Sequence, residues 1–424
     1  MNQHNLILNA DSYKPSHWLQ YPPGTTKVES YIEPRKGKDI MYFGGQPFFK
    51  EYLTKPVTKY DVAEANDLLS AHGVPFNIEG WSRIISKHGG YLPLRVDTLP
   101  EGTVHNGGVM QVRVVNTDDE FPWLTSYMET ALLRAVWYPS SVASISFAIK
   151  KLIKKYLEET GDVGGLPFKL HDFGFRGVSS YESGGLGGMA HIVNFMGTDT
   201  LAAIQFAKKY YNEKGMPAFS IPAAEHSTIT SWGKEREVDA YRNMLEVYGG
   251  EGKLLAVVSD SYDIFNAVEN IWGDQLRQTV IDSKATLVIR PDSGHPATVV
   301  RKVIQILDMK FGSTVNDKGY RVLNNVRVIQ GDGIVYDSIK EILETLKAEK
   351  YSADNIAFGM GGGLLQKVNR DTYAYAMKAC AAEIDGKWVD VYKDPVTDKG
   401  KISKKGRQDT VLGEGYRNYT TMSL

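Results

Sequence analysis

Leu254-Leu-Ala-Val-Val-Ser-Asp-Ser-Tyr-Asp263 is an apolar run that stops on a serine and breaks into an acidic turn. A helix-like segment, Ile264–Ile271, follows it. The pattern then returns as Ala285-Thr-Leu-Val-Ile-Arg-Pro-Asp-Ser-Gly294 before Thr298–Lys310, and as Val326-Arg-Val-Ile-Gln-Gly-Asp-Gly333 before Ser338–Lys350. Short continuous apolar runs read as strands buried on both faces, and their alternation with helices reads as a parallel sheet. The rhythm extends outward to Lys169–Phe173, Ala190–Phe195 and Ala218–Ile221, with a helix at Thr200–Tyr211, and to Asn355–Gly359. Seven such runs predict an α/β fold, an irregular TIM-like β/α barrel. A doubly wound open sheet is the alternative.

The flanks read differently. Lys27–Glu33 alternates as a short strand, Asp61–Ala71 reads as a helix, and Leu92–Val96 and Val109–Val115 read as strands. Leu124–Trp137 is apolar at helical spacing and is expected to stop at Pro139, with a second helix over Ser144–Thr160. After Tyr375 the chain returns to short strands, including Lys387–Tyr392. A β-rich second domain built from both terminal segments is therefore expected. Residues 1–165 form its N-terminal part, 166–374 the barrel with the active-site strand ends, and 375–424 the returning segment.

The 424 residues carry 49 basic and 50 acidic side chains, a formal net charge of −1. Such a balance supplies no overall field for nucleic acid or an anionic membrane. A single cysteine, Cys380, can form neither an internal disulfide nor a cysteine-rich zinc site, and reads as a small buried hydrophobe. Met1–Ala10 has no basic n-region or apolar core of a secretory signal, and no apolar run suggests a membrane span. A cytoplasmic enzyme is expected.

Each predicted strand runs into a turn with chemistry in it. Phe173 leads to Gly-Phe-Arg176, Phe195 to Met-Gly-Thr-Asp199, Ile221 to Pro-Ala-Ala-Glu-His226, Ser259 to Asp260-Ser-Tyr-Asp263, Arg290 to Pro-Asp292, Gln330 to Gly331-Asp332, and Phe358 to Gly359-Met-Gly361-Gly362-Gly363. Aspartate and glycine after a strand are ordinarily turn formers and helix caps. On a β/α barrel, however, all such turns converge on one face. The glycine run lets backbone N–H groups approach a phosphate, though it lacks the Lys-Ser/Thr of a Walker A loop. Arg176 and Arg290 stand at strand ends, where arginine binds carboxylate or phosphate, and Arg370 follows the glycine run. Asp263, Asp292 and Asp332 then serve as Mg²⁺ or ribose contacts, or as structural ion pairs. His226 has no second histidine at metal spacing; as a neutral imidazole it is either a hydrogen-bonded structural residue or a nucleophile toward phosphorus.

These segments also carry a resemblance. Asp11-Ser-Tyr-Lys14, Leu170-His-Asp-Phe-Gly-Phe-Arg-Gly-Val-Ser-Ser180, Gly197-Thr-Asp-Thr200, Pro222-Ala-Ala-Glu-His-Ser-Thr228, Val258-Ser-Asp-Ser-Tyr-Asp263, Ile289-Arg-Pro-Asp-Ser-Gly294, Gln330-Gly-Asp-Gly333 and Ala357–Lys367 resemble, in order and through nearly the whole chain, the type II nicotinate/nicotinamide phosphoribosyltransferase family in its nicotinamide-using branch. The resemblance implies condensation of nicotinamide with phosphoribosyl pyrophosphate to nicotinamide mononucleotide and pyrophosphate in NAD salvage. It implies Mg²⁺, ATP hydrolysis coupled through a phosphohistidine at His226, and a homodimer with shared active sites. Phe173 and, from the second subunit, Tyr13 correspond to an aromatic sandwich around the pyridine ring, and Asp199 to the acceptor for the carboxamide. Arg176, His226 and Arg290 correspond to phosphate contacts, with Arg290 also near the nicotinamide. Asp292, Gly331, Asp332, Gly361, Gly362 and Arg370 correspond to ribose and phosphate contacts, and Asp263 to an acidic residue near the reacting centre. Arg35, Lys378, Lys393 and Lys401 resemble basic residues around the phosphates. The metal-binding residues are not indicated.

Phe175 and Met360 depart from the tyrosine and serine expected in animal members, the loop after Arg35 is short, and the chain ends earlier than theirs. The alternatives are a nicotinate-specific enzyme on the same fold and an inactive nucleotide-binding relative. An acidic residue at 199 accepts from an amide and repels a carboxylate, which argues for nicotinamide.

Overall fold

The computed structural model describes residues 4–412 and 419–423. Two compact units are present, Met1–Ser144 with Asn369–Leu424, and Ile145–Val368.

The first unit is built on a five-stranded antiparallel sheet in the order Lys387–Asp390, Tyr375–Ile384, Thr25–Pro34, Val112–Asn116, Leu94–Thr98. N- and C-terminal segments thus share one sheet. Thr25–Pro34 does not alternate as its sequence suggests; from Val28 onward it is buried on both faces. The second face is covered by the segment around residue 404. There Gln408 N–H donates to Glu29 at 3.0 Å, Lys404 N–H to the Tyr31 hydroxyl at 2.9 Å, and the Lys404 ammonium pairs with Glu33. Buried Cys380 lies among these residues, and burial pushes its thiol up to about 12. The main core gathers Trp81, Trp123 and Tyr127, whose rings meet edge to face.

Pro139 does not end its helix. A single helix runs Glu129–Thr160, with the proline inside it. Proline in a helix interior removes one N–H and costs about 3 kcal/mol in isolation. Here its ring lies against Gly44, where an added Cβ would meet Pro139 Cβ at 2.4 Å. Ser140 exchanges hydrogen bonds with the Phe43 backbone, and Ser141 and Ser144 each donate to a carbonyl one turn back. Tertiary packing outweighs the local signal. The helix is long and apolar enough to cross a membrane, but 61% of its apolar window is buried in the structure, as in a core helix.

The second unit carries a six-stranded parallel sheet in the order Gly197–Thr198, Leu170–Asp172, Ile356–Met360, Val326–Gln330, Thr286–Arg290, Leu254–Val258. Its two outer strands are joined through residues 219–223. Phe219 bridges Gly197 and Ala223 bridges Ala256, so the curled sheet closes on itself at that point by isolated bridges rather than a full strand. The expected run Ala218–Ile221 is this junction. The run Ala190–Phe195 is not a strand: it begins inside the helix Tyr181–Ile192, and the strand follows at Gly197–Thr198. Residues 187–191 of that helix are all buried, and this unbroken burial imitates a strand's continuous apolarity. Its glycines permit close packing, since a Cβ at Gly185 would meet Phe206 at 2.6 Å and one at Gly188 would meet Ala203 Cβ at 2.7 Å.

At the N-terminal end of the strands, two lysines take the place of helix caps. Lys169 Nζ donates to the carbonyls of Ala353, Asp354 and Ile356 at 2.9–3.2 Å, and burial pulls its ammonium down to about 8. Lys318 Nζ donates to Leu157, Glu158 and Gly161, the exposed carbonyl end of the long helix. The opposite end of the sheet is left to the turns.

Candidate active site

Because the sheet is parallel, the turns after its strands lie at one edge. Phe173 follows Leu170–Asp172 and is fixed by its N–H to the Met360 carbonyl at 3.0 Å. Its ring lies flat on bare backbone: a Cβ at Gly359 would stand 2.0 Å from Phe173 Cε2, and one at Gly331 would stand 3.3 Å away. The Arg290 guanidinium lies 5.3 Å from the ring centroid, and the His171 ring 5.2 Å from it.

Asp199 ends the neighbouring strand. Its N–H donates to the Asp172 carbonyl at 2.9 Å. One carboxylate oxygen, Oδ1, receives both His171 Nε2 at 2.8 Å and Ser220 Oγ at 2.7 Å. Partial burial works to raise this carboxyl, but the His171 and Ser220 hydrogen bonds and the Arg290 charge outweigh it and hold it below its usual range. Oδ2 has no partner among the described residues, and the side chain is 49% exposed. The buried Asp172 ties the two turns together: its Oδ1 accepts from Gly174 N–H at 2.8 Å and its Oδ2 from Thr198 Oγ1 at 3.3 Å.

A second cluster forms around Asp260, whose side chain is 5% exposed. Oδ1 lies 3.1 Å from Nε2 of the exposed His226, while Oδ2 accepts from Asp292 N–H at 3.0 Å and Ser293 Oγ at 2.6 Å. Asp292 in turn receives Arg290 through Nη2 at 2.9 Å and Nε at 3.2 Å. Arg290 therefore joins the aromatic cluster to the histidine cluster. Asp263 accepts from the N–H groups of Phe265 and Asn266, the pattern of a helix cap.

Exposed Asp332 has its carbonyl held by Gln330 Nε2 at 3.0 Å. Gly361 and Gly362 open the short helix Gly362–Leu365. Arg176 is exposed on the turn Phe175–Gly177. No group of three or more His, Cys, Asp or Glu suited to a metal occurs among the described residues.

The other expected residues belong to the first unit. Tyr13 is 55% exposed, with Lys14 Nζ 5.2 Å from its ring centroid. Lys378 is a cation among cations: burial lowers its ammonium, Glu129 opposes this, and the charges of Arg35, Lys393 and Arg370 lower it further. Arg35 Nε is anchored on the Ala374 carbonyl at 3.1 Å, Arg370 lies 3.5 Å from the Asp371 carboxylate, and Lys401 pairs with Asp398. Four expected phosphate-site residues thus share one basic region, with Arg35, Lys393 and Arg370 around Lys378.

The profile of the nicotinate phosphoribosyltransferase (NAPRTase) family matches residues 168–420, and that of the nicotinamide phosphoribosyltransferase N-terminal domain matches 5–96. The chain belongs to the nicotinate phosphoribosyltransferase family. Within it, the chain is 55% identical to nicotinamide phosphoribosyltransferase of Xanthomonas campestris pv. campestris, over 95% of this chain and 86% of that one. It is 31% identical to the Acinetobacter baylyi protein of the same name, with the same coverage of both chains. Among solved structures, nicotinate-nucleotide pyrophosphorylase of Pyrococcus furiosus superposes with a TM-score of 0.62 at 16% identity, covering all of this chain and 85% of that one. Human nicotinic acid phosphoribosyltransferase gives 0.51 at 16%, covering 90% and 74%. At that identity the structural likeness speaks for the family fold alone.

Reading the turns alone names Asp260 without giving it a role, and passes over His171 and Ser220. A role for Asp260 could have been found from its place directly after the strand. His171 and Ser220 carry no local signal, because each acts through a residue on another strand.

Proposed function

We propose that the protein is a nicotinamide phosphoribosyltransferase that joins nicotinamide to phosphoribosyl pyrophosphate, working in the cytoplasm as a homodimer. The observation that carries this reading is Asp199 beside the Phe173–Arg290 cluster, with one carboxylate oxygen saturated by donors and the other left to accept. A carboxamide supplies the N–H that Oδ2 lacks, whereas the carboxylate of nicotinate would meet it charge to charge. The names of the relatives in Xanthomonas and Acinetobacter agree.

In the proposed reaction the pyridine nitrogen attacks ribose C1, the C1–O bond breaks, and the electron pair leaves with pyrophosphate. Phe173 orients the flat ring, with Tyr13 of a second subunit closing its other face. Negative charge from Asp292 and Asp263 favours the cationic character that develops at C1. Arg176, Arg290, Arg370 and the Arg35, Lys378, Lys393 and Lys401 region hold phosphate oxygens, and Gly331, Asp332, Gly361 and Gly362 leave backbone open to the nucleotide. A Mg²⁺ ion fits only as a guest of the substrate's own phosphate oxygens and water, with a single carboxylate such as Asp332 adding to them, and would there offset charge on the departing pyrophosphate. ATP coupling falls to His226. With Nε2–H on Asp260, Nδ1 keeps the lone pair; it bonds to the γ-phosphorus while ADP leaves.

Product formation with nicotinamide and nicotinate in parallel, with and without ATP, tests the reading. Nicotinamide is expected to be preferred and ATP to stimulate; preference for nicotinate sinks the assignment. Asp199→Asn should lower the preference by about tenfold or more, and unchanged selectivity would count against its role. His226→Ala should keep some transfer and lose the ATP effect.

A further inference from the structure

We infer that His171 is a positioning residue that sets specificity by orienting Asp199, an inference resting on the proposed preference for nicotinamide. Asp199 is a carboxylate held below its usual range, so it can only accept. Nε2 of His171, 2.8 Å away, must therefore carry the proton and donate. The ring has little freedom to do otherwise. It rests against Phe173 at 5.2 Å with a 57° interplanar angle, and a Cβ at Gly197 would lie 2.6 Å from Nδ1. Glycine at 197 is what lets the imidazole lie against the next strand.

The two donors on Asp199 come from different places. His171 sits within a strand and is held by its neighbours, while Ser220 belongs to the exposed junction between the sheet edges. Both bind the same oxygen. Two bonds on Oδ1 fix rotation about the Cβ–Cγ bond, and so fix where Oδ2 points. The nearby Arg290 charge would otherwise draw the carboxylate, although Arg290 is engaged by Asp292. His171 thus keeps Asp199 turned as an acceptor for an amide without touching the reacting atoms.

The test separates the hydrogen bond from ring packing. His171→Gln keeps an N–H donor of similar reach, whereas His171→Phe keeps an aromatic ring and loses the donor. We expect the KM for nicotinamide to rise about tenfold in His171→Phe, with kcat within about threefold and the preference over nicotinate reduced, as befits loss of one charge-assisted hydrogen bond. His171→Gln should lie close to wild type in both. A His171→Phe enzyme that matches wild type, equal KM in the two variants, or a fall in kcat alone overturns the inference. Should either variant fail to fold, Ser220→Ala removes the second donor from the same oxygen and is expected to raise KM and lower the preference; no change in either overturns it. The unmodified enzyme run alongside keeps the two claims apart: no turnover of nicotinamide there defeats the proposed function and this inference together, whereas normal turnover with unresponsive variants defeats only this inference.

Discussion

Asp260 shows how one side chain can organise several others. Both its oxygens are in use, on His226, Asp292 N–H and Ser293. Removing it takes the acceptor from all three; the exposed His226 and Ser293 can turn to water, whereas a donor left buried costs about 1–3 kcal/mol. Asp260→Ala should therefore abolish ATP stimulation as fully as loss of His226 does, and lower basal transfer at least about tenfold; steady-state rates with and without ATP check this. Asp199 carries a pH consequence. Its carboxyl is depressed in the folded state, so the unfolded chain binds more protons in the acid range. Its contribution to stability is complete above the ordinary carboxylate value and is lost as pH falls through the folded value. At this scale the sequence was informative where a charged residue directly follows a strand, as for Asp199, Arg290 and Asp292. It was silent where the role depends on a cross-strand partner, as for His171.

At the scale of elements, local pattern and tertiary packing disagree in two instructive places. Pro139 is a helix stop by every local rule, yet it sits inside Glu129–Thr160 because Gly44 makes room for its ring and neighbouring serines take up backbone bonds. Ala190–Phe195 reads as a strand because it starts in a helix end, residues 187–191, whose unbroken burial leaves no helical period to read. The other expected runs fall on strands of the parallel sheet or, for Ala218–Ile221, on its junction, since each is short and bounded by a turn. Gly359 illustrates an element shaped for the site. Gly359→Ala would put a methyl where the Phe173 ring lies, so the ring must move or the strand must shift. Overpacking of this kind costs about 1–3 kcal/mol. A lower thermal midpoint together with a raised nicotinamide KM is expected; a change in the midpoint alone would separate the ring's position from ligand binding.

At the scale of the whole molecule, charge is balanced but unevenly placed. A net charge of −1 conceals a region where Lys378 stands among Arg35, Lys393 and Arg370. Like charges held together destabilise the free protein, and an anion bound there relieves them. Pyrophosphate at about 100 times its dissociation constant should stabilise the fold by about 2.7 kcal/mol, a few degrees in the thermal midpoint. Lys378→Met should raise the midpoint without ligand and shrink the pyrophosphate shift. Scanning calorimetry reads both, and an undiminished shift in the variant would place the anion elsewhere. The sequence foretold a basic residue set only through resemblance, because Arg35 and Lys378 meet through strand pairing that no spacing rule reveals.

The curled sheet of the second unit has a seam. Five of its strand pairs form continuous ladders, whereas residues 219–223 hold the two outer strands together by isolated bridges alone. Local opening begins where backbone bonds are fewest. The amide protons of Thr198, Phe219, Ala224 and Ala256, which make the seam's bonds at 2.7–3.1 Å, should exchange with solvent sooner than those of Val288 or Val328 in the interior of the ring. Ser220 lies within the seam, where it donates to Asp199 at 2.7 Å, and His226 just beyond it, so a pyridine held by Asp199 as proposed would act as a clasp. Slower deuterium uptake at those amides on adding nicotinamide would measure how tightly the clasp closes.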